Sequence, residues 1–232
     1  MFLHQLGIRA ELDLQGTEAP TTQILNQYVD YCAPSNGTET WIWYTLNNKT
    51  QMKEAIRFLF DCVKNNKPLY FHCIAGADRT GTFACLVEAL LGVSESGINC
   101  DYELTSFYSA RARTRSDWQG LLDQIKALSG AALQDKMANY IASLGFSAEE
   151  INAFRAAMTN GTPSTLTPTI HTYTVTNTLS HATSDNPAAT ATQYQPYEAN
   201  ITPASGYVID SVQVTMGGVD VTNQVWMTKE DE

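Results

Sequence analysis

Ile8, Ala10, Leu12 and Leu14 alternate with polar residues, a period of two that predicts a half-buried strand. Trp41-Ile42-Trp43-Tyr44 predicts a second short strand. Met52, Ile56, Leu59 and Val63 recur at helical spacing, so residues 51–65 are expected as an amphipathic helix feeding the apolar run Leu69-Tyr70-Phe71, a buried strand. From there to Leu91 the chain is rich in Ala, Leu and Val and stops at Gly92, which predicts a helix directly after a loop. Farther on, Ser116 with Gln119 and Ser147 with Glu150 predict capping boxes ahead of Leu121, Leu122 and Ile125, and of Ile151, Phe154 and Met158. Leu133, Met137, Tyr140, Ile141 and Leu144 form a third stripe, ended by Gly145. These stripes read as core. Strands alternating with helices imply an α/β sheet with right-handed crossovers.

The pattern changes after Asn160-Gly161. Residues 161–169 are rich in Thr, Pro and Ser, as a linker is, and beyond them charged residues almost vanish. Tyr173 and Val175, then Tyr197, Ala199 and Ile201, then Val212, Val214 and Met216 alternate with polar residues, which predicts several short strands in a small β-sandwich. The expected organisation is therefore an α/β domain over residues 1–160, a linker over 161–168, and an all-β module over 169–232. Both ends read as truncated, since the first strand begins almost at once and no clear final strand closes the module. His171 and His181 sit on polar segments and are expected at the surface.

Composition narrows the partners. With 44% hydrophobic residues in 232, the first part can bury a real core. A formal charge of -10 argues against nucleic acid and anionic membrane surfaces, so an anionic substrate must be drawn by a local field. No run of about 18 apolar residues is present, and the N-terminus lacks the basic start and long apolar run of a signal peptide. Cys32, Cys62, Cys73, Cys85 and Cys100 are odd in number and lack metal-type pairing, so neither a disulfide framework nor a metal site is expected. Cys62 and Cys85 fall on apolar helical faces and read as packing residues.

Within this frame the loop His72-Cys73-Ile74-Ala75-Gly76-Ala77-Asp78-Arg79-Thr80-Gly81 stands between the buried strand and the following helix. Cys73 lies six positions before Arg79. Backbone N–H groups at a helix start favour a phosphoryl dianion, and Gly76 lets the chain curl around it. Residues 72 and 74 to 77, His72, Ile74, Ala75, Gly76 and Ala77, are thus the expected phosphate cradle. The same field should hold Cys73 as thiolate, the reactive form of a nucleophile. Arg79 suits a forked grip on two phosphoryl oxygens. Thr80 can donate to the cysteine sulfur, and His72 would orient the loop. A leaving-group acid is also needed, for which Asp78 is the favoured residue, with Glu39 and Asp30 as alternatives. Among Arg111, Arg113 and Arg115, one could reach the phosphate, Arg113 being the choice, though a solvated surface run is the plainer reading. Tyr102 and Tyr108 are expected at the mouth of the pocket, with plain packing as the alternative reading. The competing reading of the whole loop is a structural glycine turn around a buried cysteine.

The decapeptide resembles the active-site signature His-Cys-x-x-Gly-x-Asp-Arg-Thr-Gly of a bacterial family of tyrosine and dual-specificity phosphatases. Leu6-Gly7-Ile8-Arg9-Ala10-Glu11-Leu12-Asp13-Leu14 and Asp101-Tyr102-Glu103-Leu104-Thr105-Ser106 also resemble elements of that family, over roughly residues 1–160. Gln15 stands where arginine is usual, and Ala77 where lipid-directed members carry lysine. The resemblance implies a tyrosine-phosphatase-like central sheet flanked by helices, no cofactor, and hydrolysis of phosphotyrosine, phosphoprotein or small phosphomonoester substrates through a cysteinyl-phosphate. Alternatives are a phosphoinositide or inositol phosphate phosphatase, which Ala77 disfavours, and a non-catalytic phosphate-binding module. The tail, especially Gly206-Tyr207-Val208-Ile209-Asp210-Ser211-Val212-Gln213-Val214, resembles bacterial surface repeat modules. That resemblance implies an envelope or secreted setting and a module that contacts a cell surface or other domains.

Overall fold

Strand β1 (Ala10–Asp13) is the middle of a three-stranded parallel sheet, with β2 (Asp30–Cys32) on one side and β3 (Leu69–His72) on the other. Residues 5–15, 30–34, 44–107, 112–159, 162–225 and 227 are described in the structure, a computed structural model. Every residue of β1 is buried, Glu11 and Asp13 included, so the alternation in sequence does not mark a solvent face. A middle strand of a parallel sheet is covered on both sides, and its polar positions must then find partners inside. The strand expected at Trp41–Tyr44 falls mostly outside the described residues. Tyr44 itself is described, lies in no strand and has a left-handed backbone with φ 59°.

Helix α1 (Lys49–Lys64) precedes β3, and α2 (Asp78–Leu91) follows the loop. Gly92 ends α2 in the left-handed conformation, its N–H bonding Ala89 O at 3.1 Å while Val93 N–H bonds Glu88 O at 2.9 Å. Next come α3 (Glu95–Leu104) with a 3-10 turn (Thr105–Phe107), α4 (Arg115–Ala127), α5 (Leu133–Ser143) and α6 (Ala148–Met158). The box at Ser147 and Glu150 forms as expected. That at Ser116 and Gln119 does not. Helix α4 starts two residues earlier, where the Asp117 carboxylate accepts the Thr114 N–H at 2.8 Å. A carboxylate at the positive end of a helix is a better partner than an amide, and Gln119 instead accepts from Arg115 at 3.2 Å.

The core lies where α2 meets β3, α3, α5 and α6. Phe83 of α2 meets Phe71 of β3 edge-on at 5.4 Å, while Leu86, Leu90, Leu121, Met137, Tyr140 and Ile141 are all buried. On α1, Met52, Ile56 and Leu59 are buried as their spacing predicts, and Phe60 stacks on Phe154 of α6 at 4.4 Å. Cys62 and Cys85 are buried in this packing.

The chain divides into two compact units, Met1–Ile170 and His171–Glu232. The segment expected as a linker is fastened to the first unit. Leu166 is buried and exchanges two hydrogen bonds with Asn152, Ser164 O accepts from Arg155 at 2.6 Å, and Thr169 N–H donates to Asn139 at 2.7 Å. In the second unit three separate antiparallel ladders form: β4 (Thr172–Thr174) with β6 (Thr190–Thr192), β5 (Ala182–Ser184) with β7 (Ile201–Pro203), and β8 (Thr215–Met216) with β9 (Val219–Asp220). No described residue of this unit is buried, so the expected sandwich core is not formed among them. Two-stranded ladders of two or three residues have no inner face to bury. His171 and His181 are exposed, the latter stacked on Tyr207 at 4.0 Å.

Because Phe154 is 4% exposed and stacked, Phe154→Ala should destabilise the first unit by about 3–5 kcal/mol, read as a lowered urea midpoint by far-UV circular dichroism.

Candidate active site

The register of β1 against β3 places Asp13 opposite His72, and Leu14 N–H reaches His72 O at 2.7 Å. That pairing carries the end of β3 to its last residue before Cys73. His72 is held from both ring nitrogens. Its Nε2 lies 3.0 Å from the fully buried Glu11 Oε1, and its Nδ1 lies 3.3 Å from Cys73 O, which can only accept. Tyr70 stacks on the same imidazole at 5.0 Å. The ring is thereby turned inward, as an orienting residue would be. Glu11, Asp13 and His72 are also a grouping able to hold a metal ion, with donor atoms within 4.8 Å. Asp13 also accepts from Tyr31 at 3.1 Å and from Gln15 N–H at 3.0 Å, so the same side chains serve as a hydrogen-bonded support behind the loop.

Beyond Cys73 the chain turns with Gly76 at φ 67°, a conformation that disfavours any side chain although space is open. Ile74 stands out at 63% exposure, Ala75 and Gly76 are half-buried, and Ala77 is fully buried at the start of α2. Ala77 therefore presents backbone and no side chain. Arg79 is buried, and its Nη1 donates to Gln15 O at 2.9 Å. The unusual residue at position 15 supports the loop through its carbonyl, which any side chain there would leave in place.

Four cysteines titrate away from their ordinary value. Burial pushes Cys32 and Cys85 up to about 12 and Cys62 up to about 11. Cys73 moves down. Burial of its sulfur acts upward, but the Thr80 hydroxyl and the N–H groups of Thr80, Gly76 and Ala75 outweigh it. Thr80 Oγ1 is buried with no hydrogen-bond partner among the described residues, and its hydroxyl favours the Cys73 thiolate.

Asp78, the first residue of α2, is enclosed by residues distant in sequence. Its Oδ1 accepts from the Tyr44 hydroxyl at 2.6 Å and from Arg113 Nε at 3.2 Å, and its Oδ2 accepts from Arg113 Nη2 at 3.3 Å. Arg113 is 8% exposed, which overturns the reading of this arginine as part of a solvated surface run. Burial opposes its charge, yet the bonds and field of Asp78 raise its pKa. Arg115 is exposed and pairs with Glu95, and Arg111 lies outside the described residues. Asp30 pairs with Lys67 at the start of β2, the opposite end of the sheet from the loop, while Glu39 and Tyr108 lie outside the described residues. Tyr102 is buried, bonds the Tyr44 hydroxyl, and presses on Gly81, where an added Cβ would sit 3.0 Å from its ring. Sequence reasoning passed over Glu11 and Tyr44. Two carboxylates in an otherwise apolar strand were a signal for the first; nothing in spacing marks the second.

Behind Tyr44 and Tyr102 a small pocket is lined by Thr82, Cys85, Glu88 and Trp118. Glu88 Oε2 is buried there with no hydrogen-bond partner among the described residues, and burial, with help from Asp101, pushes its pKa up to about 7.

A buried thiol whose pKa is lowered just ahead of a helix start, with an arginine six residues on, is an arrangement suited to meeting a phosphate group. A family model described as "Tyrosine phosphatase family" matches residues 2–160, and the chain belongs to that family. It is a phosphatase, and its substrates are phosphorylated. No curated protein matches the chain.

Two outcomes check this electrostatic account. Thr80→Val should slow iodoacetamide alkylation of Cys73 at pH 6 by about tenfold, because losing one donor moves the thiol toward its ordinary value. For Glu88, the protonated form is favoured in the folded chain, so its stabilising share is whole below about pH 4.5 and is lost as pH rises through about 7. Glu88→Gln should thus gain about 1–2 kcal/mol over the parent at pH 8, discounted for partial exposure, and nothing at pH 4.5, by urea unfolding at both pH values.

Proposed function

We propose that the chain hydrolyses phosphotyrosine or other phosphoprotein monoesters through a cysteinyl-phosphate. The observation that carries this is the setting of Cys73, buried directly after β3 in a loop that reverses at Gly76 and enters α2, with Arg79 buried in the first turn of that helix; the Thr80 hydroxyl and nearby amides lower the thiol's pKa against its burial. The thiolate attacks phosphorus in line, the S–P bond forms, and the bond to the leaving oxygen breaks. Asp78 gives that oxygen a proton. Water then attacks the cysteinyl-phosphate, Asp78 takes back a proton, and the thiolate departs with inorganic phosphate released. Arg79 and the amides of Ala75 and Gly76 meet the equatorial oxygens, which carry negative charge throughout. Thr80 steadies the leaving sulfur.

Substrate preference follows from what the loop lacks. Ala77 is buried and uncharged, so the cradle offers no extra cation to a second phosphate, which favours monophosphorylated substrates over inositol polyphosphates. Ile74, exposed beside Cys73, gives an apolar surface suited to an aromatic ring. An envelope or secreted setting rests on the character of the tail.

Cys73→Ser should abolish release of phosphate from a phosphotyrosine peptide, and vanadate should inhibit the parent enzyme. Turnover unchanged in that variant would falsify the mechanism. A panel pairing phosphotyrosine peptides with inositol polyphosphates should favour the peptides by at least about tenfold in kcat/KM.

A further inference from the structure

Tyr44 is the backbone outlier nearest the loop. A bulky residue at φ 59° is strained, and strain of this kind persists where surrounding contacts over-determine it. Here they do. The Tyr44 N–H donates to Thr82 Oγ1 at 2.9 Å, its carbonyl accepts from Gln124 Nε2 at 3.3 Å, and its ring meets Tyr102 edge-on. Thr82 in turn donates to Asp78 O at 2.9 Å, so α2 holds both ends of the contact. The result is a hydroxyl delivered to Asp78 Oδ1 at 2.6 Å. Burial and its bonds to Asp78 and Tyr102 raise the Tyr44 pKa, so it stays a donor.

Arg113 arrives from the other side. Ser106 accepts its backbone N–H at 2.7 Å and donates to its carbonyl at 3.3 Å, which fixes the turn that aims the guanidinium. Of the two Asp78 oxygens, Oδ1 takes two bonds and Oδ2 takes one long one. The side chain of Asp78 is 30% exposed, so solvent or a ligand can reach it. We propose that Tyr44 and Arg113 are positioning residues that orient the Asp78 carboxylate, holding Oδ1 through two bonds and Oδ2 through one longer one, with Oδ2 the oxygen that carries the leaving-group proton.

The inference rests on the reading of Asp78 as the acid. When the proton passes from Oδ2 to the leaving oxygen, the carboxylate left behind is met at once by a hydroxyl and a guanidinium already in place. Neither group touches the substrate, and neither changes its own protonation. Their effect should therefore scale with how much the leaving group needs a proton.

The test compares 4-nitrophenyl phosphate, whose leaving group departs unaided, with phenyl phosphate, whose leaving group needs the acid. Asp78→Asn should lose about 100-fold or more in kcat on phenyl phosphate and under about tenfold on the nitrophenyl ester. Tyr44→Phe and Arg113→Lys should show the same split at about tenfold on phenyl phosphate, and each should add nothing in the Asp78→Asn background. Tyr44→Phe removes one oxygen and keeps the packing, so it decides the matter even where Arg113→Lys fails to fold. Equal losses on both esters, no loss, or losses that persist in the Asp78→Asn background would overturn the positioning role. Equal losses for Asp78→Asn itself would overturn its role as the acid, with Cys73→Ser still reporting separately on the nucleophile.

Discussion

Where β3 gives way to α2, the Thr80 hydroxyl and the amides of Thr80, Gly76 and Ala75 favour the ionised form of one buried sulfur, and the packing of the first unit holds that turn in place. The amides of Ala75, Gly76 and Thr80 reach Cys73 because the chain reverses through a left-handed glycine and enters a helix at once. A thiol in that place would otherwise behave as Cys85 does, pushed to about 12 by burial. Burial is common to both cysteines; the donors are what separate them.

Holding the turn requires buried polar groups, and each is satisfied by an element far away in sequence. Glu11 of β1 reaches His72, Gln15 O receives Arg79, and Arg113 with Tyr44 closes on Asp78. Farther along α2, Arg155 donates to Leu90 O at 3.0 Å and so places a cation at the negative end of that helix. Buried charges of this kind are costly when a partner is removed, so the network resists partial loosening. Helix α2, which follows the Cys73 loop, is thus fastened at both ends as well as packed along its length by Phe83, Leu86 and Leu90.

The two units solve the problem of stability differently. The first buries a continuous set of aromatic and aliphatic side chains, whereas the second leaves Val208 at 87% and Met216 at 73% exposure and is held by short ladders and local turns such as Asp185 with Asn200. Among the described residues no helix is long and apolar enough to cross a membrane. The match to the tyrosine phosphatase family lies wholly within the first unit.

Helical periodicity was enough to find α1, α5 and α6, since a stripe at 3.6-residue spacing can only be buried on one side. The strand-to-helix setting of the loop from His72 to Gly81 was likewise legible, because the apolar run before it and the Ala- and Leu-rich run ended by Gly92 after it are local patterns. Burial of Glu11 and Asp13 was not legible: alternation looks the same whether the polar face meets water or a second layer. Nor was the partner of Asp78, for which the chain draws Tyr44 and Arg113 from positions 34 residues before it and 35 after. Local order is written in spacing, while contacts between distant side chains depend on how helices and strands pack, which only the folded chain decides.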